Sequence, residues 1–124
     1  MDDRYARFND VKQHQPGIKT LLAVGGWNFG VAKMTAMLRD ASTRSEFIQT
    51  SIEFLRQRQF DGLDLDFEYP ASRGSPPEDK QRFAQLVIVN ISPSQWCAWW
   101  SKLIYSTVSL VPPISTMDVY RGIT

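Results

Sequence analysis

The sequence predicts an α/β fold built on a parallel sheet, and three observations carry that expectation. Helix-like and strand-like segments alternate through the first two thirds of the chain. A short apolar run, Ile18 to Val24, ends in Gly25-Gly26, the pattern of a strand buried on both faces. A second candidate strand, residues 60–69, alternates carboxylates with apolar side chains.

The elements follow in order. Tyr5, Phe8 and Val11 recur at near-helical spacing and Pro16-Gly17 ends the pattern, which predicts an amphipathic helix over residues 3–14. After the glycine-terminated strand, Val31 to Leu38 reads as a short helix. Thr43-Arg44-Ser45-Glu46 has capping-box spacing and predicts the start of a longer helix at Thr43. On that helix Phe47, Ile48, Ile52 and Leu55 share a face, and Arg56 and Arg58 occupy the last turn, where cations favour the helix dipole. The acidic strand comes next, and then a helix from about Glu78 to Val87.

Composition excludes several classes. Fourteen basic and 13 acidic residues give a net charge of +1, which offers neither nucleic acid nor an anionic membrane a reason to bind. No run of about eighteen apolar residues is present to cross a bilayer. Met1 to Arg7 is charged early and lacks the apolar core of a secretory signal. Cys97 has no partner for an internal disulfide and no histidine beside it, and His14 reads as a solvated residue. Charge is unevenly spread: residues 83–124 hold only Lys102, Asp118 and Arg121 of the 27 charged side chains. Three of the four tryptophans (Trp96, Trp99, Trp100) lie there too, with no sustained period, so no element is assigned to it. Asn90-Ile91-Ser92 fits a glycosylation acceptor, which matters only in an exported chain.

The stretch Asp61-Gly62-Leu63-Asp64-Leu65-Asp66-Phe67-Glu68-Tyr69-Pro70 is the most informative. Side chains alternate faces along a strand, so Asp64, Asp66 and Glu68 share one face and Leu63, Leu65, Phe67 and Tyr69 the other. Neighbouring acids would stand roughly 6.5–7 Å apart, near enough to resist simultaneous ionisation. A solvated acidic face is the plain alternative. Two points oppose it: Asp is disfavoured in strands, and parallel strands are usually covered on both faces. Covered acids with raised pKa values suit general acid chemistry. A magnesium or calcium site is a weaker reading, since Gly62 precedes the acids instead of following the third, as a calcium loop requires.

These residues resemble the D-G-x-D-x-D-x-E catalytic strand of the chitinases of glycoside hydrolase family 18. Leu21-Leu22-Ala23-Val24-Gly25-Gly26-Trp27-Asn28-Phe29-Gly30 resembles the preceding strand of that family, and Arg73-Gly74-Ser75-Pro76-Pro77 its following loop in animal members. The resemblance runs from about residue 3 to 87. It implies a fragment of a (β/α)8 TIM barrel, residues 1–87, that contains the third and fourth strands, with an unrelated, poorly ordered tail at 88–124. Such a barrel needs about 250 residues, so the chain reads as about a third of one plus that tail, whose origin would be alternative splicing, a retained intron or an erroneous gene model.

The resemblance also implies roles. Glu68 would be the general acid, Asp66 would orient the substrate acetamido group, Asp64 would share a proton with Asp66, and Asp61 would help set the strand's end. Trp27 would stack on a sugar ring, Asn28 would make a polar contact to the sugar chain, and Tyr69 would line the cleft. The implied substrate is chitin or its oligosaccharides, with no metal or cofactor and an extracellular location. Phe67 stands where the family usually has tryptophan. The family's other strands, the tyrosine that braces the acetamido group and the tryptophan floor have no counterpart here. The expected activity is chitin hydrolysis, weak or absent in these 124 residues alone. A noncatalytic chitin-binding protein, in which the family loses the acid that Glu68 represents, and a nonfunctional fragment are the alternatives.

Overall fold

The computed structural model describes residues 3–88 and 104–106. Two helical pieces, α1 (Asp3–Asn9) and α2 (Val11–His14), precede strand β1 (Leu21–Gly25). A 3-10 turn (Trp27–Phe29), α3 (Val31–Leu38) and α4 (Ala41–Gln57) lead to strand β2 (Gly62–Asp66). Helix α5 (Asp79–Ile88) and a short strand β3 (Ile104–Ser106) complete the described elements. The strands lie in the order β1-β2-β3, and both pairings are parallel.

Register decides which side chains meet. Leu22 pairs with Leu63 and Val24 with Leu65, while Ala23 pairs with Asp64 and Gly25 with Asp66. Registered residues of a parallel pair project to the same side, so the sheet has one apolar and one acidic face. The apolar face is covered by helices. Leu63, Leu65 and Phe67 are buried against Met34 and Leu38 of α3, Ile48, Ile52 and Leu55 of α4, and Phe83, Leu86 and Val87 of α5. Phe67 and Phe83 meet edge to face with ring centroids 5.7 Å apart.

Several expectations shift. The amino-terminal helix breaks at Asp10, where the Gln13 amide bonds to the Asp10 carbonyl three residues back. Tyr5 still reaches the core, edge to face with Phe54 and Phe60, whereas Phe8 stays 55% exposed. Helix α4 starts two residues earlier than expected. Its cap is Asp40, whose carboxylate accepts the Thr43 amide at 2.9 Å while the Asp40 amide donates to the Thr43 hydroxyl at 3.2 Å. The charged carboxylate is the stronger acceptor, so Thr43 becomes the last of the four capping-box residues and not the first. Arg58 lies at the carboxyl cap, its guanidinium 3.6 Å from the Phe54 ring centroid, and Arg56 remains in the last turn.

Strand β1 is shorter than the apolar run and is not buried on both faces: Leu21, Leu22 and Val24 are half-buried and Ala23 is exposed. Among the described residues, helices pack on one face of the sheet only, and β1 is an edge strand. Strand β3 arises in a segment to which the sequence assigns no element; its Ile104, Tyr105 and Ser106 register against Leu63, Asp64 and Leu65. The rest of the expected tail, including Cys97, the glycosylation triplet at Asn90 and the tail tryptophans, lies outside the described residues.

The amino end of β2 is anchored by a polar cluster. Asp61 accepts the Thr20 amide at 2.9 Å, and its own amide donates to the Thr20 carbonyl at 2.9 Å. The Lys12 ammonium stands 2.6 Å from the Asp61 carboxylate and also donates to the Gln59 carbonyl at 2.5 Å. Buried Asn9 donates to the Arg58 carbonyl at 2.7 Å and accepts from the Thr20 hydroxyl. Partial burial pushes the Asp61 carboxyl up, but Lys12, the Thr20 amide and Lys19 together outweigh it and bring the pKa from its ordinary 3.8 to about 2. A folded pKa below the unfolded one stabilises the fold above pH 3.8, and that contribution disappears as pH falls towards 2. Urea denaturation of the Asp61→Asn variant is therefore expected to show a loss on the order of 1–2 kcal/mol at pH 7, allowing for solvent screening. The difference between wild type and variant should shrink as pH falls from 4 to 2; an unchanged difference would count against the Lys12–Asp61 pair as its source.

Candidate active site

The acidic face of β2 is built by a close approach between strands. Gly25 has φ +117°, and a Cβ there would stand 1.9 Å from the Asp66 carbonyl oxygen and 2.8 Å from the Met34 methyl carbon. The neighbouring Gly26 amide donates to that same carbonyl at 2.8 Å, which continues the ladder one step past β1. Only glycine fits where the backbone comes this close with a positive φ. The next residues can then turn into the 3-10 segment that presents Trp27 and Asn28 at the end of the strands.

Asp64 and Asp66 point to the open face, and neither is fully exposed. Asp64 Oδ1 is buried and accepts no hydrogen bond from the described residues. Burial pushes the Asp64 carboxyl above its ordinary value, and the nearby Asp66 charge pushes it further. A Cβ on Gly26 would lie 3.6 Å from Asp66 Oδ2, so the Asp66 carboxylate sits beneath the turn that carries Trp27. Glu68 lies two residues beyond the end of β2 and is half-buried. The Glu68–Tyr69 peptide is cis.

Asp61 stands apart from this group, at the opposite end of β2 and inside the Lys12–Thr20 cluster. Trp27 is 58% exposed, Asn28 is exposed, and both lie on the loop following β1. Tyr69 departs from the expected alternation: Leu63, Leu65 and Phe67 are buried, whereas Tyr69 is 50% exposed. The strand ends at Asp66, so the alternating pleat no longer governs where Tyr69 points. Among the described residues no three His, Cys, Asp or Glu side chains gather as a metal-ligand cluster.

Two features escape the sequence. The Arg73 guanidinium lies 3.4 Å from the Trp27 ring centroid, and its Nη1 donates to the Glu68 carbonyl at 3.2 Å. Below that loop, fully buried Asp79 accepts from the Ser75 hydroxyl at 2.7 Å, the Thr35 hydroxyl at 2.5 Å and Arg82 at 3.3 Å. Ser75 in turn accepts the Ala71 amide at 3.1 Å. The loop after β2 is thus tied to α3 and α5. Asp79 carries one local signal, an acid in the first turn of a helix, but nothing in the pattern pairs it with Thr35.

A protein-family model described as glycosyl hydrolases family 18 matches residues 2–89. The chain belongs to that family. It is 52% identical to mouse chitotriosidase-1 over 83 residues, which are 67% of this chain and 18% of that protein. Mouse oviduct-specific glycoprotein is 51% identical over 83 residues, 67% of this chain and 12% of that one. The chain therefore spans less than a fifth of the length of these relatives. Among solved structures it resembles the Ostrinia furnacalis group IV chitinase in complex with allosamidin, at 39% identity and a TM-score of 0.65, over 67% of this chain and 23% of that one. YKL-39, solved in the presence of chitooligosaccharides, matches at 33% identity and a TM-score of 0.59, over 68% and 22% of the two chains. The described α/β unit is accordingly a fragment of the TIM barrel of these chitinases.

Two outcomes follow from this geometry. Gly25→Ala is expected to destabilise the fold by about 3 kcal/mol or more, because the added carbon meets backbone that cannot step aside; chemical denaturation with the wild-type midpoint retained would contradict the close approach. For Asp64 the folded pKa exceeds the unfolded one, so stability falls as pH rises from 3.8 through the raised value. Asp64→Asn should flatten that slope in urea titrations between pH 4 and 8.

Proposed function

We propose that this chain carries the catalytic strand of a chitinase-type glycosidase that cleaves β-1,4 linkages between N-acetylglucosamine units with retention of configuration. The observation that carries the reading is the Asp64 carboxyl: partly desolvated, with one oxygen that no described residue hydrogen-bonds, and raised further by Asp66 on the same open face. A proton held there can be shared with Asp66, which suits a pair that must orient an uncharged amide. Two relatives support the substrate class by what their structures contain. The Ostrinia furnacalis group II chitinase was solved with a chitooligosaccharide, and YKL-39 is described as a pseudo-chitinase that retains chitooligosaccharide binding.

In this reading Glu68 donates a proton to the glycosidic oxygen as the bond to the anomeric carbon breaks. The substrate's own acetamido carbonyl oxygen attacks that carbon and forms an oxazolinium ion, while Asp66 accepts the acetamido N–H and keeps the oxygen in line. The Glu68 carboxylate then takes a proton from water, whose oxygen opens the oxazolinium from the same face as the departed sugar. Two displacements leave the configuration unchanged. Asp61, at the far end of β2, takes no part in these steps and anchors the strand. Trp27 offers an apolar platform, with Asn28 and Tyr69 as further contacts to the sugar chain. The steps use no metal or cofactor, the partner is chitin or its oligosaccharides and neither nucleic acid nor membrane, and the site of action is extracellular. No helix among the described residues is long and apolar enough to cross a membrane.

The described residues supply one wall of a cleft, and a wall cannot hold acid, acetamido group and leaving sugar to within fractions of an ångström. Turnover of a fluorogenic chitobioside by the 124-residue chain is therefore expected to stay near the Glu68→Gln background. Grafting residues 3–87 in place of the matching segment of mouse chitotriosidase-1 supplies the remaining walls. The graft should hydrolyse the substrate, and Glu68→Gln within it should lower kcat roughly 100- to 10,000-fold. A folded graft that binds the sugar without turnover would favour the noncatalytic reading.

A further inference from the structure

Trp27 and Glu68 belong to different loops, one after each of the two long strands, and a single side chain joins them. The Arg73 guanidinium packs on the Trp27 ring at 3.4 Å from its centroid, and the same group donates to the Glu68 carbonyl at 3.2 Å. Arg73 itself has φ +55° and is followed by Gly74 at φ +93°, so the backbone holds a conformation that an arginine seldom adopts. The loop beneath is pinned by the buried Ser75–Asp79–Thr35 hydrogen bonds, which fix where Arg73 leaves the main chain. Despite the guanidinium over it, the indole remains 58% exposed.

We propose that Arg73 is a positioning residue for saccharide binding: stacked on one face of the Trp27 indole and hydrogen-bonded to the Glu68 carbonyl, it holds the ring as a platform whose opposite face receives an N-acetylglucosamine ring. This rests on the reading of Trp27 as a saccharide platform. The physical basis is a planar cation on a π-face with its edge donors still available. An unsupported, largely exposed indole would sample several rotamers and lose them on binding a sugar. An indole already clamped by a guanidinium loses fewer. Arg73 thereby couples the height of the platform to the backbone that carries the proposed acid.

The test uses the full 124-residue chain, labelled for NMR and titrated with chitotetraose. In the free wild type the Arg73 δ protons should be shifted upfield by the Trp27 ring current, and Trp27→Ala should abolish that shift. Arg73→Ala is expected to weaken binding about two- to five-fold, with Arg73→Lys recovering part of the loss because the charge is kept and the planar stack is not. Trp27→Ala should weaken binding more than either. Equal or tighter binding by both Arg73 variants, with Trp27→Ala still impaired, overturns the role of Arg73 and leaves the platform standing; tighter binding would mean that the guanidinium occupies the sugar's face. Undiminished binding by Trp27→Ala overturns the platform, and absence of binding by the wild type overturns both. Backbone amide spectra that match the wild type outside residues 25–30 and 69–76 show that each variant is folded. A wild type without the upfield shift overturns the stack itself.

Discussion

The approach of Gly25 to the Asp66 carbonyl is the constraint on which the rest of the described structure depends. It fixes the β1–β2 register, and one residue of slip would send every β2 side chain to the opposite face. With the register set, Leu22, Val24, Leu63 and Leu65 meet the helices, and Ala23, Asp64 and Asp66 share the open side. The small residues at 23 and 25 leave room beside the carboxylates. The Gly26 bond to the same carbonyl then starts the turn that brings Trp27 over the end of β2, within reach of Arg73. Fold and site therefore share one contact.

Three carboxylates within twenty residues show how environment, and not residue type, divides labour. Asp61 meets an ammonium and an amide, which hold it ionised and make it an anchor. Asp79 is fully buried but surrounded by donors from Thr35, Ser75 and Arg82, so it serves as a hub for the loop after β2. Asp64 has burial with no described partner on Oδ1 and a like charge nearby, and its protonated form is favoured. Of the three, only Asp64 lies on the open face of the sheet, where the proposed reaction would use an acid that retains its proton.

Much of this was legible in the residues because period and order are local properties. The alternation from Leu63 to Asp66 fixed the faces, and Val31 to Leu38 forms the helix its spacing predicts. What was not legible depends on partners distant in sequence. The Asp40 cap competes with Thr43 through acceptor strength, a difference the spacing of Thr43 and Glu46 does not encode. The cover over β1 is set by where helices pack, and an apolar run cannot say whether its second face is covered. Tyr69 obeys the strand's alternation on paper, but the strand has ended before it. Arg73 and Trp27 lie 46 residues apart, and their stack follows from two loops meeting above paired strands.

The exposure of the acidic face links stability to chemistry. Burial, and then the Asp66 charge, shift Asp64 although the core cluster gathers on the other face of the sheet. A wall placed opposite would exclude water from Asp64, Asp66 and Glu68 together. The charged form of Asp64 would then cost more still, and its interaction with Asp66 would be screened less. In the proposed reaction, closing the cleft with a protein wall or a bound sugar chain would favour one proton held between Asp64 and Asp66. Under the proposed function, a bound sugar chain would then supply part of the desolvation on which that reaction depends.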